Sequence, residues 1–402
     1  MTLRRTTIGV VTAFVALAVS LGASAQTKPP IRIGAIMPMT GFGATYGDLF
    51  YTGISMGVDD VNAKGGVNGS KIEIKLEDDQ LNAQQSVLLF RKLVADGVFA
   101  VIGPVSGTSW ENVAPIANTL KTPAINFTAI KPGVTVKPYA LRTAPAADTS
   151  VPDGVKEFVR KYPDIKRIVI TGDVQEASGA AGIEEFTKAA KANGLTILDT
   201  VEYQTKTADF APIVAKIRSL DPQAVFSCSL VPTTLPLVKE METQGFDKPL
   251  LDCGLVGAGN FIHAVGSAGK IVHSMGFATN EPDTENANRA PYVADYLKRS
   301  AETTKLPQPA NVSNTNLGYD AVHVLAQIMT QKGIDGSTDP AKARELIKDG
   351  LAELKEYRGV SLIRMLPSGD ARIVNHLLIA DWQNKLWKYG LPADQRLKST
   401  EN

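Results

Sequence analysis

Four sets of residues in this chain have the type and spacing to do chemistry. Asp78 and Asp79 are adjacent acids, as acid–base work or a cation site would need. Gly103-Pro104-Val105-Ser106-Gly107 approaches the turn that presents a nucleophilic serine, and Gly269-Lys270 approaches the end of a phosphate-cradling loop. His263, His273, His323 and His376 could supply metal ligands. Each set fails in detail. The serine stands one place late for GxSxG, and the phosphate loop would need Gly at 264 and Ser or Thr at 271, where the chain has Ala264 and Ile271. No two histidines have HxxxH spacing, and no GxGxxG follows the first strand. Asp78-Asp79 reads as a solvated strand end with a helix-capping acid. No catalytic residue, cofactor or metal is expected.

The elements that would position these residues alternate. Short β-branched runs at 31–37, 71–77, 99–102, 124–127, 167–171, 196–202, 224–227, 249–251 and 271–277 read as strands. Amphipathic stretches at 47–62, 83–96, 110–119, 151–162, 181–193, 210–219 and 234–244 read as helices, several closing with Asn or Gly as at Asn193-Gly194. Alternation implies parallel sheets covered on both faces. The pattern runs once over 31–141 and again over 167–266, which predicts an α/β fold of two doubly wound parallel-sheet lobes. Ligands of such sheets settle beyond the C-terminal strand ends, near helix N-termini. That rule selects six loops, 37–46, 103–109, 126–131, 172–179, 227–233 and 252–257, as the lining of a cleft between the lobes.

Arg4 and Arg5, the apolar run from Ile8 to Leu21 and the small residues Ala23-Ser24-Ala25 form the pattern of a cleaved secretory signal over residues 1–25. The run is shorter than the ~20 apolar residues that span a bilayer. Of 42 basic and 41 acidic residues only Arg4 and Arg5 lie there, so the mature chain is expected to carry a net charge of −1, with nothing to attract nucleic acid. At 402 residues and 44% hydrophobic content, the chain has material for about two domains with real cores. Cys228 and Cys253 end apolar runs that read as neighbouring parallel strands. An oxidising compartment permits a disulfide between them. Adjacent parallel strands seldom offer the required Cβ geometry, however, and two inert buried thiols are the favoured reading.

Several motifs occur in a telling order: Ile33-Gly34-Ala35 leading to Thr40-Gly41 and Tyr46-Gly47, the run from Asp60 to Gly69, Glu77-Asp78-Asp79, Val101-Ile102-Gly103-Pro104, Leu141-Arg142-Thr143, Gly318-Tyr319-Asp320-Ala321-Val322 and Gly369-Asp370. With them the chain resembles the type I periplasmic substrate-binding proteins of branched-chain amino acid ABC transporters, the leucine/isoleucine/valine-binding protein family. The resemblance implies a Venus-flytrap of two lobes joined by three hinge crossings, near 144–147, 275–278 and 358–362. The N-terminal lobe would be 26–145 with 278–357, the C-terminal lobe 146–277 with 358–395, and 396–402 a disordered tail. It also implies a monomer, a small-molecule ligand and a membrane permease as partner.

The site follows from the same resemblance. Amino-acid binders of the family hold the ligand carboxylate with a Ser, which here becomes Gly107 between Ser106 and Thr108, and an Ala-Thr pair, which becomes Ala129-Ile130 after Thr128. Thr128, the Ala129 N–H and Ser106 or Thr108 would rebuild an anion site. The family's acid for the ligand ammonium aligns with Val256 in Gly254-Leu255-Val256-Gly257. One of its loop tyrosines aligns with Leu230 or Val231, beside Ser229, and another with Ala177 or Ser178. A buried ammonium without a carboxylate costs several kcal/mol, against ~1–3 from an apolar side chain, which disfavours free amino acids unless Asp173, Glu176 or Asp252 reaches in. Apolar surface comes from Phe42, Tyr46 and Phe127 in one lobe and Leu230, Val231, Leu255 and Val256 in the other, with Trp110 read as a packing residue. The expected function is a soluble periplasmic receptor that closes around a small carboxylate with an apolar or aromatic body and hands it to the permease. Alternatives are a branched-chain or other neutral amino acid, a small amide, a sensing subunit for a receptor kinase, and a secreted enzyme.

Overall fold

The strand Ile31–Met37 (β1) is buried at every position except Arg32, as suits an interior strand covered on both faces. It pairs in parallel with β2 (Ile72–Asp78) and β3 (Ala100–Ile102), Ile33 lying opposite both Ile74 and Ala100. With β4 (Ala124–Asn126) and β5 (Ala140–Arg142) it forms a five-stranded parallel sheet in the order β2-β1-β3-β4-β5. Helices α1 (Ala44–Ala63), α2 (Ala83–Ala95) and α3 (Gly107–Thr119) follow the first three strands. The computed structural model describes residues 28–280, 288–303, 305, 307–312 and 314–398. The expected signal segment lies outside the described residues.

The chain then enters α4 (Ala147–Lys161) and a second sheet, whose strands β6 (Arg167–Asp173), β7 (Thr196–Tyr203), β8 (Ala224–Cys228), β9 (Leu250–Asp252) and β10 (Val272–Gly276) pair in parallel. Between them run α5 (Ala177–Ala192), α6 (Ala211–Ser219), α7 (Val231–Thr243) and the short α8 (Phe261–Ala264). After β10 the chain returns to the first sheet through α9 (Arg289–Thr303), α10 (Thr315–Gln331) and α11 (Pro340–Glu353). α10 lies along α1 so closely that a Cβ on Gly53 would stand 2.2 Å from the Thr315 carbonyl oxygen.

Next comes a small antiparallel sheet of β11 (Glu356–Arg358), β12 (Leu362–Met365) and β13 (Ala371–Arg372). The chain ends as a hairpin, β14 (His376–Asp381) and β15 (Leu386–Tyr389), that joins the second sheet antiparallel beside β10. The expected two parallel-sheet lobes are present, and the second sheet carries this antiparallel hairpin at one edge, in the order β15-β14-β10-β9-β8-β6-β7. Antiparallel neighbours need only a tight turn and no crossover helix, so strict helix–strand alternation does not announce them.

Three passes link the two sheets, between β5 and α4, between β10 and α9, and between β13 and β14. Residues 358–362, expected as the third pass, instead turn β11 into β12, and Asp320 of α10 holds that turn by accepting from the Val360 and Ser361 N–H groups at 2.9 and 2.7 Å. Arg142 is fully buried beside the small sheet. Its Nε and Nη2 donate to Asp370 at 3.0 and 2.7 Å and its Nη1 to the Ala129 and Lys131 carbonyls at 2.7 and 2.8 Å. Ordered chain also runs past 395: Leu397 is buried, and its N–H donates to Glu157 at 2.7 Å, which corrects the expected start of a disordered tail at 396.

The cysteines are joined. Cys228 and Cys253 form a disulfide, S–S 2.07 Å, with Cα atoms 5.1 Å apart. They stand at and just past the ends of β8 and β9, where the sheet's pleat no longer dictates the side-chain directions that argued for thiols. No described helix is long and apolar enough to cross a membrane.

Candidate functional site

Helices α3, α5 and α7 begin at Gly107, Ala177 and Val231, three or four residues before their apolar periodicity does. The first turns of α3 and α5, Gly107-Thr108-Ser109 and Ala177-Ser178-Gly179, are small and polar, and Gly107 and Ser178 face the cleft. Between the sheets lies a cavity of about 60 Å³, walled by the loops after β3, β4, β8 and β9, the starts of α1, α4, α5 and α10, and the passes at Ala144-Pro145, Phe277 and Asn375. Most of the wall is apolar, from Phe50, Phe127, Leu230, Leu255, Met275, Phe277 and Leu317. Ser106, Thr128, Ser150, Ser178, Asn314 and Asn375 supply its polar atoms. Among the described residues no Asp, Glu, Lys, Arg or His side chain lines it.

Tyr46 spans the cleft from α1. Its hydroxyl accepts from the Val231 N–H at 2.7 Å and donates to the Leu255 carbonyl at 3.2 Å, so one phenol fastens two loops of the opposite lobe. Burial pushes its pKa far above the usual phenol range and keeps it neutral. Phe50, one helical turn on, stacks with Tyr46 at 6.0 Å, and Phe127 meets Phe50 edge-on at 5.2 Å. Ser150 in the first turn of α4 presents a buried hydroxyl with no partner among the described residues.

The anion site expected from the sequence is not open. The Thr128 hydroxyl donates to the Val105 carbonyl at 2.6 Å, and the Ala129 N–H donates to Asn126 Oδ1 at 2.7 Å. Ser106 caps α3, its oxygen accepting from the Ser109 N–H at 3.0 Å. The Gly107 N–H and the Thr108 hydroxyl both donate to Glu176, each at 2.7 Å. Closing the β3 and β4 loops and docking Glu176 consume the donors that were to hold a ligand.

Other expected site residues serve the frame. Asp173 accepts from the Gln175 and Glu176 N–H groups and, at 2.6 Å, from the Thr205 hydroxyl, which fixes the loop before α5. Ala177 lies outside the wall and donates its N–H to Thr108 Oγ1 at 3.0 Å. Ser229 sits between Tyr203 and Thr234, 2.6 Å from each. Val256 is buried away from the cavity, and its N–H donates at 3.1 Å to Asp252, whose carboxyl burial pushes up to about 7. Phe42 is 46% exposed and belongs to no part of the wall. Trp110 is wholly buried in the core against the five-stranded sheet. Tyr46, Ser106, Gly107, Phe127, Thr128, Ser178, Leu230, Gly254 and Leu255 do line the cavity.

The acid pair also works structurally. Asp78 accepts from the Met39 N–H and, at 2.5 Å, from the Thr40 hydroxyl. Asp79 is buried rather than solvated, accepts from the Ser86 hydroxyl at 2.7 Å, and leaves the capping of α2 to Asn82. Among the described residues no group of three or more His, Cys, Asp or Glu could hold a metal ion.

Sequence reasoning missed Phe50, Ser150, Met275, Phe277, Asn314, Leu317 and Asn375. Phe50 could have been found from its i+4 spacing to Tyr46. The others lie where the chain passes between sheets or begins α10, and no local pattern marks such places.

Two lobes, a largely apolar cavity between them and side chains that reach across the cleft define a solute-binding receptor. The profile of the family described as "Periplasmic binding protein" matches residues 30–385, and the chain belongs to that family. It is similar to the Leu/Ile/Val-binding protein BraC3 of Rhizobium johnstonii, 28% identical over 343 residues, covering 83% of this chain and 88% of that protein. It is also 27% identical to the leucine-, isoleucine-, valine-, threonine- and alanine-binding protein of Pseudomonas aeruginosa, over 83% of this chain and 87% of that one. Among solved structures, a leucine-binding protein of Thermotoga maritima superposes with a TM-score of 0.78 at 21% identity, covering 90% of this chain and 98% of that one. A solute-binding protein of Rhodopseudomonas palustris in complex with 4-hydroxybenzoate superposes with a TM-score of 0.75 at 22% identity, covering 90% and 96%. At these identities the structures establish the fold. Its family and its curated relatives are binding proteins and not enzymes.

Proposed function

We propose that this protein is a periplasmic receptor that closes around a small ligand with an apolar or aromatic body and delivers it to a membrane permease. The observation that carries this reading is the inter-lobe cavity: apolar and aromatic, supplied with a few hydroxyls, bare of ionisable side chains among the described residues apart from the neutral phenol of Tyr46, and bridged by that phenol. The three passes between the sheets act as the hinge, and ligand bound across the cleft shifts the population toward the closed form that the permease recognises. Secretion through a cleaved signal at residues 1–25 belongs to the same reading.

The names of the curated relatives favour a branched-chain amino acid as a second reading. Against it stands the start of α3, where Glu176 already occupies the Gly107 N–H and the Thr108 hydroxyl, donors that an amino acid's carboxylate would need. A thermal-shift screen separates the two, since a tight ligand raises the melting temperature by mass action. Aromatic and short-chain acids and amides form one panel, and leucine, isoleucine and valine the other. The expected outcome is a shift with members of the first panel alone. A shift with the second panel alone would favour the amino-acid reading.

A further inference from the structure

The start of α3, where a helix N–H and a hydroxyl make an oxyanion cradle, already holds a carboxylate, and it is the protein's own. Glu176 leaves the loop after β6 in one lobe and crosses to the other. Its Oε1 accepts from the Gly107 N–H and its Oε2 from the Thr108 hydroxyl, each at 2.7 Å, and the Ser178 N–H approaches Oε1 at 3.4 Å. The side chain is buried, and among the described residues no Lys, Arg or His forms an ion pair with it. Gly107 makes the fit possible: a Cβ there would stand 2.3 Å from Ser178 Oγ and 2.8 Å from Glu176 Oε1. Any side chain at this position would collide with both.

The cavity wall includes Gly107 and Ser178, so a ligand's polar end at this place lies next to the Glu176 carboxylate. Burial pushes the Glu176 carboxyl above the usual carboxylate range, against the pull of its hydrogen bonds; a second carboxylate there would find the helix-start donors taken and no cation in the wall, and one of the two crowded carboxyls would have to take up a proton. Neutral groups meet no such obstacle. Ser106 and Ser178 already accept one N–H each, from Ser109 and Ile130, and keep a hydroxyl hydrogen to donate, while the Ser150 hydroxyl has no partner among the described residues.

We propose that Glu176 is a specificity-determining residue that stands in for a ligand carboxylate, so that the cavity takes small apolar or aromatic molecules with a neutral hydrogen-bonding end, carboxamides or alcohols, and turns away the matching carboxylates. The proposal rests on the reading of the cavity as the solute site.

The test is calorimetric titration of the mature chain at pH 8 with probes matched in shape and differing in charge, benzamide with benzoate and isovaleramide with isovalerate. In the wild type each amide is expected to bind on the order of 100-fold more tightly than its acid, about 2.7 kcal/mol. In Glu176→Gln, which keeps the size and an acceptor for the Gly107 N–H, that ratio is expected to fall at least about tenfold through a gain in acid binding. Glu176→Ala provides the same comparison without any group in the cradle. Wild-type ratios near one overturn the proposal whatever the variants do. So does an unchanged ratio in both variants when circular dichroism and cooperative melting show them folded, and in either case the cavity remains the solute site. No response of any form to any probe overturns both the proposal and the cavity assignment.

Discussion

Tyr46 joins the lobes through a single oxygen that both accepts and donates, so its removal acts on closure more than on folding of either lobe. Tyr46→Phe keeps the stacked ring but leaves the Val231 N–H and the Leu255 carbonyl without that partner, at about 1–3 kcal/mol. Ligand affinity is expected to fall roughly 10- to 100-fold, read as Kd by titration with whichever probe raises the melting temperature. Asp252 makes a prediction about pH. Its carboxyl titrates at about 7 because it is buried, and its Oδ1 has no partner among the described residues. An ordinary Asp titrates near 3.9, so between about pH 4 and 7 the folded chain keeps a proton that the unfolded chain has lost. Stability from this group is therefore full below that window and declines as pH rises through it. Asp252→Asn keeps an acceptor for the Gly254 and Val256 N–H groups and cannot ionise. Its melting temperature is expected to match the wild type near pH 4.5 and to exceed it by a few degrees at pH 8; an equal difference at both would show that Asp252 does not titrate in this window.

At the scale of elements, two cross-links hold the loops that build the cavity. The Cys228–Cys253 disulfide ties the ends of β8 and β9 at a sequence separation of 25, and Cys253 is itself part of the wall. Closing a loop of that size stabilises by roughly 3 kcal/mol in the chain-entropy account. Reduction, or Cys228→Ser with Cys253→Ser, is expected to lower the melting temperature by several degrees, and the untreated protein is expected to show no reactive thiol in denaturant. The second cross-link is Arg142 with Asp370, a buried guanidinium paired across the gap between β5 and the turn before β13. Asp370→Ala leaves that charge without its carboxylate, at about 3–5 kcal/mol, and denaturant unfolding is expected to show a loss of that size. A surface pair such as Arg167 with Asp221 is expected to contribute under 1 kcal/mol.

Across the whole molecule the lobes are joined by apolar packing that runs through the cleft and by scattered hydrogen bonds. Beyond Tyr46 and Glu176, Thr45 exchanges two hydrogen bonds with Asn260 at 2.7 and 2.9 Å, and the Asn311 amide donates to the Gly257 carbonyl. The hydrogen bonds among these contacts suit a closure that must reverse, since each exchanges for water when the cleft opens. A Tyr46→Phe and Thr108→Val double variant removes hydroxyls at two separate points of the cleft. Small-angle scattering is expected to give it a larger radius of gyration than the wild type, with each lobe still folded. Addition of a ligand that binds should bring the two radii together; a radius identical in all forms would place the closure elsewhere.

Local periodicity and turn chemistry determined most of the scaffold. β1 through β4 and β6 through β10 fall close to where β-branched runs predicted them, because a strand covered on both faces must be apolar almost throughout, and that pattern is written locally. The order of motifs was enough to place the chain in its family, and Tyr46, Phe127 and Leu230 were legible as wall residues because the loops after parallel strands are where such folds bind. Tertiary structure decided the rest. The β14–β15 hairpin pairs with a strand about a hundred residues earlier, Cys228 and Cys253 meet only because β8 and β9 are neighbours, and Arg142 finds Asp370 only when the small sheet is in place. The donors of Thr128, Ala129, Gly107 and Thr108 stand out in the sequence, yet the acceptor each one reaches is set by how loops fold back and how the two lobes approach. Hydrogen-bond partnership is a matter of tenths of an ångström between segments remote in sequence, and no local pattern carries that information.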